Sequence, residues 1–187
     1  MFERDIIRQL SAWKMDVNRK PLVIHGARQV GKTWALKYFG KVYFEDVAYF
    51  SLDKDESGLC DIFKTTKDPR RIIQQLSFLH GKKINPQTTL LILDEIQECN
   101  EALNALKYFC EEAPEYAVAC AGSLLGIYLN HIGNSFPVGK VNHLSMYPLT
   151  FTEFLKTKDP NMYEYLCSIK EIAPVSYTHL RAHETKA

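Results

Sequence analysis

No apolar run in this chain approaches the roughly 18 residues that a membrane-spanning helix needs, so no segment reads as one. The first residues, Met1-Phe-Glu-Arg-Asp5, are charged and lack the apolar stretch of a secretory signal. There is no C-x-x-C pair. The five cysteines (Cys60, Cys99, Cys110, Cys120 and Cys167) are odd in number and scattered, which argues for reduced thiols rather than a disulfide framework or zinc site. Charge of either sign is also missing in net terms: 23 Lys and Arg stand against 22 Asp and Glu. Without residues 174–187, which hold Arg181, Lys186 and Glu184, the balance is 21 against 21. Such a body has no global electrostatic footprint for nucleic acid. Internal repeats and low-complexity segments are absent too. These absences predict a cytoplasmic protein of one large domain, with at most a small appendix, and the 46% hydrophobic content suits a packed core.

What the chain does have is concentrated near residue 30. Gly26-Ala27-Arg28-Gln29-Val30-Gly31-Lys32-Thr33 matches G-x-x-x-x-G-K-[ST] at every position. Leu22–His25 before it reads as a short buried strand, and Trp34–Phe39 after it as a helix that Gly40 should stop. In that setting the glycines turn backbone N–H groups toward phosphate oxygens, and the helix N-terminus adds partial positive charge. Lys32 is expected to reach the β- and γ-phosphates and Thr33 to ligate Mg²⁺, with residues 26–34, Trp34 included, forming the nucleotide cradle.

A second element follows some sixty residues later. Leu90–Leu93 is a continuous apolar run, as a central parallel strand requires, and it ends in Asp94-Glu95. Asp94 is expected to hold Mg²⁺ together with Thr33, and Glu95 to act on the attacking water. Ala117–Ala121 reads as a further strand ending in Gly122-Ser123. Ser123 either senses the γ-phosphate and orients water, or caps a short helix over 124–129. Val47–Leu52 reads as a strand ending at Asp53, which lies either at the ligand crevice or in a solvated turn.

The remaining pattern supplies a frame. Ile6, Ile7, Leu10 and Trp13 fall on one face of a helix over 3–14 that should pack beside the core. Asp68-Pro69 opens a helix with its stripe at Ile72, Ile73, Leu76 and Leu79, Gly81 ends it, and His80 reads as a helix-end residue. Asn100 caps the next helix, which carries Ala102, Leu103, Leu106, Phe109 and Cys110 inward and which Pro114 closes. Residues 141–147 are the last strand candidate, Thr150-Phe-Thr-Glu153 is a capping box, and Pro160 begins a helical stretch over 162–172. Alternating strands and helices predict an α/β fold with a parallel sheet covered on both faces. Five core strands are expected, and the order of elements alone puts the strand before Gly26 next to the Asp94 strand.

Residues 26–33, Leu93-Asp-Glu-Ile-Gln97, Ala121-Gly-Ser-Leu-Leu125, Ser135-Phe-Pro-Val-Gly-Lys-Val141 and Tyr147-Pro-Leu-Thr-Phe-Thr-Glu-Phe-Leu155 together resemble one family. It is that of the AAA+ ATPases of bacteria and archaea that carry a C-terminal domain of unknown function. The resemblance runs from about Arg4 to Leu155. It implies an additional-strand P-loop NTPase core with sheet order 5-1-4-3-2 and Mg-ATP as ligand. It also implies Lys32 and Thr33 as the P-loop pair, Asp94 and Glu95 as the two carboxylates, and a sensor-like Ser123. Where relatives often show Gly-Arg, this chain has Gly139-Lys140, whose lysine offers a point charge rather than a fork to phosphate or to a neighbouring subunit.

On this reading residues 1–157 form the ATP-binding domain with its N-terminal helix (1–17), and 158–173 begin a connection to a missing C-terminal domain. Pro174–Thr185 resembles the translation of a transposon-end sequencing adapter, so 174–187 reads as a non-native passenger and the His179/His183 pair as no metal site. The apolar Phe151, Phe154 and Leu155 are expected to stay partly exposed and to favour self-association. The function implied is Mg-dependent ATP hydrolysis, with that domain, a protein or a nucleic acid as partner. A nucleotide-dependent switch with little turnover is the first rival. A small-molecule P-loop kinase is the second, weakened by the lack of an Arg-rich lid segment.

Overall fold

The alternation of apolar runs and amphipathic stretches becomes, in the computed structural model, a five-stranded parallel sheet with helices on both faces. The structure describes residues 4–53, 58–123 and 139–169. In chain order the elements are α1 (Asp5–Met15), β1 (Leu22–His25), α2 (Lys32–Tyr43), β2 (Asp46–Ser51), α3 (Leu59–Thr65) and α4 (Pro69–His80). They continue with β3 (Thr89–Asp94), a 3₁₀ turn (Ile96–Glu98), α5 (Asn100–Glu112), β4 (Ala117–Gly122), β5 (Asn142–Ser145), α6 (Phe151–Lys158) and α7 (Pro160–Ser168).

The strand order is β2-β3-β4-β1-β5, which read from the other edge is 5-1-4-3-2. One expectation is overturned. β4 lies between β1 and β3, pairing Ile24 with Ala121 on one side and Leu93 with Cys120 on the other, so β1 and β3 are not neighbours. Order along the chain does not register a late strand inserted between two early ones. Helices cover both faces, which is why all six residues of β3 are buried. On one face Leu10, Trp13, Leu36 and Phe39 of α1 and α2 pack on Leu22, Ile24 and Ile92. On the other, Phe63, Ile72, Leu76, Leu106 and Phe109 of α3, α4 and α5 pack on Val23, Leu91, Leu93 and Val118.

Several boundaries shift. Gly40 does not stop α2, which continues to Tyr43. A Cβ at Gly40 would stand 2.6 Å from Val47 Cγ2, so this glycine serves the close packing of α2 on β2. Asn100 is the first residue of α5 and Cys99 the cap position. The seven-residue α3 was not anticipated, being too short to show a period. Asp68 does cap α4, accepting from the Arg70 N–H at 2.9 Å, and Gly81 ends it in the left-handed region. His80 is the helix-end residue, 2.7 Å from an Asp46 oxygen. The helix read over 124–129, residues 133–138, and everything from 170 onward, His179 and His183 included, lie outside the described residues.

The capping box at α6 does more than start a helix. Glu153 accepts from the backbone N–H of Thr150 (2.9 Å) and of Asp5 (2.8 Å), and pairs with Arg4 at 3.2 Å. Arg4 in turn donates to the carbonyls of Val30 and Tyr147. One buried carboxylate thus ties α1, α6 and the 26–33 loop together. Burial would raise the Glu153 pKa, but the N–H groups of Thr150 and Asp5 and the Arg4 guanidinium outweigh it and hold the carboxyl below the ordinary range. A depressed folded-state pKa contributes stability that is present above the unfolded value and lost as pH falls through the folded one. Glu153→Gln should therefore lower the melting temperature at neutral pH, and the gap to the parent should close on acidification below about pH 4.3. A pH-independent gap in thermal melts would contradict this.

Phe151 and Phe154 are exposed as expected, whereas Leu155 is buried. α7 has no buried residue and shows Met162, Tyr165 and Leu166 to solvent, as does Ile169 just after it. With Phe151 they leave an apolar face that should drive association at high concentration. Elution volume in size-exclusion chromatography should decrease as loading rises, and Phe151→Ser with Tyr165→Ser should abolish the trend.

Candidate functional site

Gly26 directly follows the end of β1, where Met146 N–H donates to the His25 carbonyl at 2.8 Å. A Cβ at Gly26 would lie 2.1 Å from the Met146 carbonyl oxygen, so the backbone just after β5 forbids any side chain there. The loop then bends through Gln29 and Gly31, with φ of 63° and 96°, and Gly31 hands the chain to α2. A left-handed conformation at a non-glycine residue is costly and concentrates at functional loops.

The Lys32 side chain is buried and folds back on this loop, donating to the carbonyls of Ala27 (2.7 Å) and Gly26 (3.1 Å). An ammonium has three donors, so one remains to be committed. Burial pushes its pKa below the ordinary lysine range, against the opposing pull of the Glu95 and Asp94 carboxylates.

β4 separates the strands, yet the two motifs meet. Thr33 Oγ1 donates to Asp94 Oδ2 at 2.8 Å, and the Asp94 side chain is buried. A second hydroxyl reaches the same oxygen: Tyr49 of β2 donates to Asp94 Oδ2 at 2.9 Å. Burial and the Asp94 carboxylate push the Tyr49 phenol up to about 12, so it stays a donor. Tyr49 escaped the sequence reading because it is an ordinary strand residue; its only signal is the register Tyr49↔Ile92 and Ser51↔Asp94, a pairing that only the folded sheet reveals.

Glu95 is, among the described residues, the other non-glycine residue at positive φ, 51°, which turns its side chain out of the strand line. Its Oε2 accepts from Gln97 Nε2 at 2.5 Å and, at 3.4 Å, from Ser123 Oγ at the end of β4. Gln97, overlooked in the sequence, is buried, and its Oε1 has no partner among the described residues. Beside these groups opens a cavity of about 410 Å³ lined by Arg28, Gln29, Gly31, Lys32, Thr33, Asp53, Glu95, Gln97 and Glu98. Asp53 is thus at the crevice. Trp34 is not in that lining; its ring stacks on Tyr38, centroids 5.1 Å apart and planes 9° from parallel. Lys140 is remote as well: it precedes β5, at the sheet end opposite the loop, and pairs with Glu111 at 2.8 Å. A phosphate contact from Lys140 does not fit this placement.

The oxygen donors fit Mg²⁺. That ion is hard, prefers oxygen, and takes few protein ligands beside phosphate and water. A threonine hydroxyl and a carboxylate oxygen 2.8 Å apart at the mouth of the 26–33 loop answer that description. None of the five cysteines is in a disulfide, and burial raises the Cys120 thiol pKa so that it stays protonated. Among the described residues no helix is long and apolar enough to cross a membrane.

A 5-1-4-3-2 parallel sheet with a G-x-x-x-x-G-K-T loop after its first strand defines a P-loop NTPase fold of the additional-strand class. The chain belongs to the AAA domain family, whose model matches residues 18–155, and is an AAA+ P-loop ATPase. Among solved structures it is similar to AMPPCP-bound DnaA from Aquifex aeolicus (16% identity, TM-score 0.47, covering 87% of this chain and 53% of that one). It is similar also to PCH-2 from C. elegans (11%, 0.48, 95% and 52%). A third is the Aeropyrum pernix ORC1 protein in complex with DNA (14%, 0.50, 84% and 49%). At these identities the likeness is one of fold, and the chain spans about half the length of each. Comparison with curated proteins found no match.

Proposed function

We propose that this chain is an ATP-binding module that hydrolyses ATP slowly with Mg²⁺. The observation that carries the reading is the convergence of Thr33, Asp94 and Glu95 beside the Gly26–Lys32 loop, although 61 residues separate Thr33 from Asp94. In this role the loop N–H groups and the Lys32 ammonium bind the phosphates, and Arg28, Gln29 and the α2 N-terminus complete the cradle. Thr33 and Asp94 would hold Mg²⁺, which when bound neutralises developing charge on the phosphates. Glu95 orients water and takes its proton, with Ser123 and Gln97 setting the direction of its carboxylate.

The switch reading has an observation of its own. Gln97 and Ser123 both donate to Glu95 Oε2, so the attacking water competes with two existing bonds for that oxygen. Slow turnover follows, and nucleotide state rather than flux would then be the output, acting on a partner protein, a nucleic acid or a further domain.

Phosphate release under multiple turnover, with Mg²⁺ and with chelator, tests the proposal. Release should require Mg²⁺ and vanish in Asp94→Ala; chelator-insensitive release, or no thermal protection by ATP, would overturn it. Tyr49→Phe supplies a finer check. Losing a hydrogen bond to a carboxylate, about 1.5 kcal/mol or somewhat more, should raise the Mg²⁺ needed for half-maximal turnover by about tenfold. ATP affinity should hardly move, and the melting temperature should fall by a few degrees, because the bond is already made without ligand. An unchanged Mg²⁺ requirement would reduce Tyr49 to packing.

A further inference from the structure

A larger cavity than the nucleotide crevice, about 570 Å³, lies elsewhere on the molecule. It follows one side of α4 and is closed opposite by the segment entering β3 and the residue entering β4. α4 itself crosses the N-terminal edge of the sheet. Its first turn meets the residue before Tyr116, through Arg70 and Glu115 at 4.0 Å, and its last residue meets the start of β2, through His80 and Asp46. The nucleotide crevice is at the opposite, carboxyl-terminal edge.

The spacing on α4 is what makes the feature a groove. Arg70, Ile73, Gln74, Ser77 and Phe78 line it at three- and four-residue intervals, one continuous helix face beside the buried Ile72 and Leu76, and Gly81 at the helix end extends the row. Eleven steps of 1.5 Å from Arg70 to Gly81 give a length of about 16 Å. That accepts roughly five residues of extended chain at about 3.3 Å apiece. Ile73, Ile84 and Tyr116 make the floor apolar. Phe78 stands at its edge 80% exposed, with Leu79 next to it at 53%, an arrangement that water does not favour for an aromatic on a core-packed helix.

Charge gives the groove a sign. Arg70, Lys82 and Lys83 line it and no carboxylate does. Arg70 and Lys82 have Glu115 and Asp46 outside the groove, but at 4.0 and 3.9 Å and in solvent such pairs are worth little and can be exchanged. Duplex DNA or RNA suits the surface less well. A polyanion gains affinity from many phosphate contacts on a basic face, whereas this groove is apolar along its floor and sits on a chain of net charge +1.

From this combination we infer that the α4 groove is a docking site for a partner protein's extended acidic segment of about five residues, with one large apolar side chain anchored beside Phe78. Carboxylates flanking the anchor meet Lys82 and Lys83 at one end and Arg70 at the other. The surface is independent of the nucleotide chemistry, and a partner bound there leaves the crevice open.

A phage-displayed library of random twelve-residue peptides, panned on the immobilised full chain, tests the inference without knowledge of the partner. The enriched consensus should hold an aromatic or large aliphatic residue flanked by at least two Asp or Glu. A fluorescein-labelled consensus peptide should bind in fluorescence anisotropy. Phe78→Ser, and separately Lys82→Glu with Lys83→Glu, should each weaken it at least tenfold; all three side chains are exposed, so circular dichroism and melting temperature should match the parent. Lys32→Ala should leave peptide affinity unchanged. Failure to enrich a consensus, a neutral or basic consensus, affinity indifferent to both groove variants, or displacement of the peptide by a 20-base-pair duplex at lower concentration than unlabelled peptide would each overturn it.

Discussion

Glu95→Gln should bind ATP within a few-fold of the parent and lose turnover by about 10²–10⁴-fold, the range a positioned general base contributes. Size and hydrogen-bonding shape are kept, and the side chain touches neither the Lys32 bonds nor the loop carbonyls. What disappears is the capacity to take a proton from water. The contact with Gln97 at 2.5 Å sharpens the expectation, since two amides can satisfy each other where amide and carboxylate met, so the 3₁₀ turn should stay in place. Thermal protection by ATP should survive as well, about 2.7 kcal/mol at a hundredfold excess over the dissociation constant. Single-turnover hydrolysis and a melting series with ATP, run side by side, read both quantities. If Glu95→Gln loses protection, the carboxylate is holding the site together rather than acting on water. If it hydrolyses at the parent rate, the base is another residue.

Lys32→Ala should have the complementary profile, with ATP affinity down by about ten- to a hundredfold, the worth of one charge-assisted hydrogen bond at roughly 1.5–3 kcal/mol. The ammonium is buried and bonded only to backbone carbonyls in the described loop, so the loss is felt in the bound ground state and the transition state alike. The variant also removes the donor that ties Gly26 and Ala27 to the start of α2, which calls for a control. Lys32→Met keeps the aliphatic stem and should lose affinity to the same degree with a smaller drop in melting temperature. Equilibrium titration with a labelled ATP analogue separates the two effects. An affinity within threefold of the parent in both variants would remove Lys32 from the phosphate site.

Taken together the two variants divide the module. One retains nucleotide without turnover, the other loses nucleotide, and the parent should lie between a switch and a steady hydrolase according to how firmly Gln97 and Ser123 hold Glu95. Gln97→Ala relieves the shorter bond and is the natural follow-up.

Much of this was written locally in the chain. The loop at 26–33 is defined by spacing alone, because backbone N–H groups can cradle phosphate only with small residues at two fixed positions before a helix. Asp68-Pro69, Gly81 and the Thr150–Glu153 box mark helix ends through bonds that span four residues or fewer. The buried run Leu90–Leu93 announced a central parallel strand because both its faces must be apolar. Tertiary structure decided what depends on residues far apart. β4 enters between β1 and β3 through pairing that no local period encodes, and the chain-order expectation failed there. Tyr49 reaches Asp94 only because β2 and β3 align in one register, and Gly26 is glycine partly because Met146, 120 residues later, leaves no room. Gly40, read as a stop, is a packing contact for the same reason. Local rules act through backbone hydrogen bonds within a turn or two; the strand order, the second hydroxyl on Asp94 and the α4 groove arise from side chains that meet only after the sheet has closed.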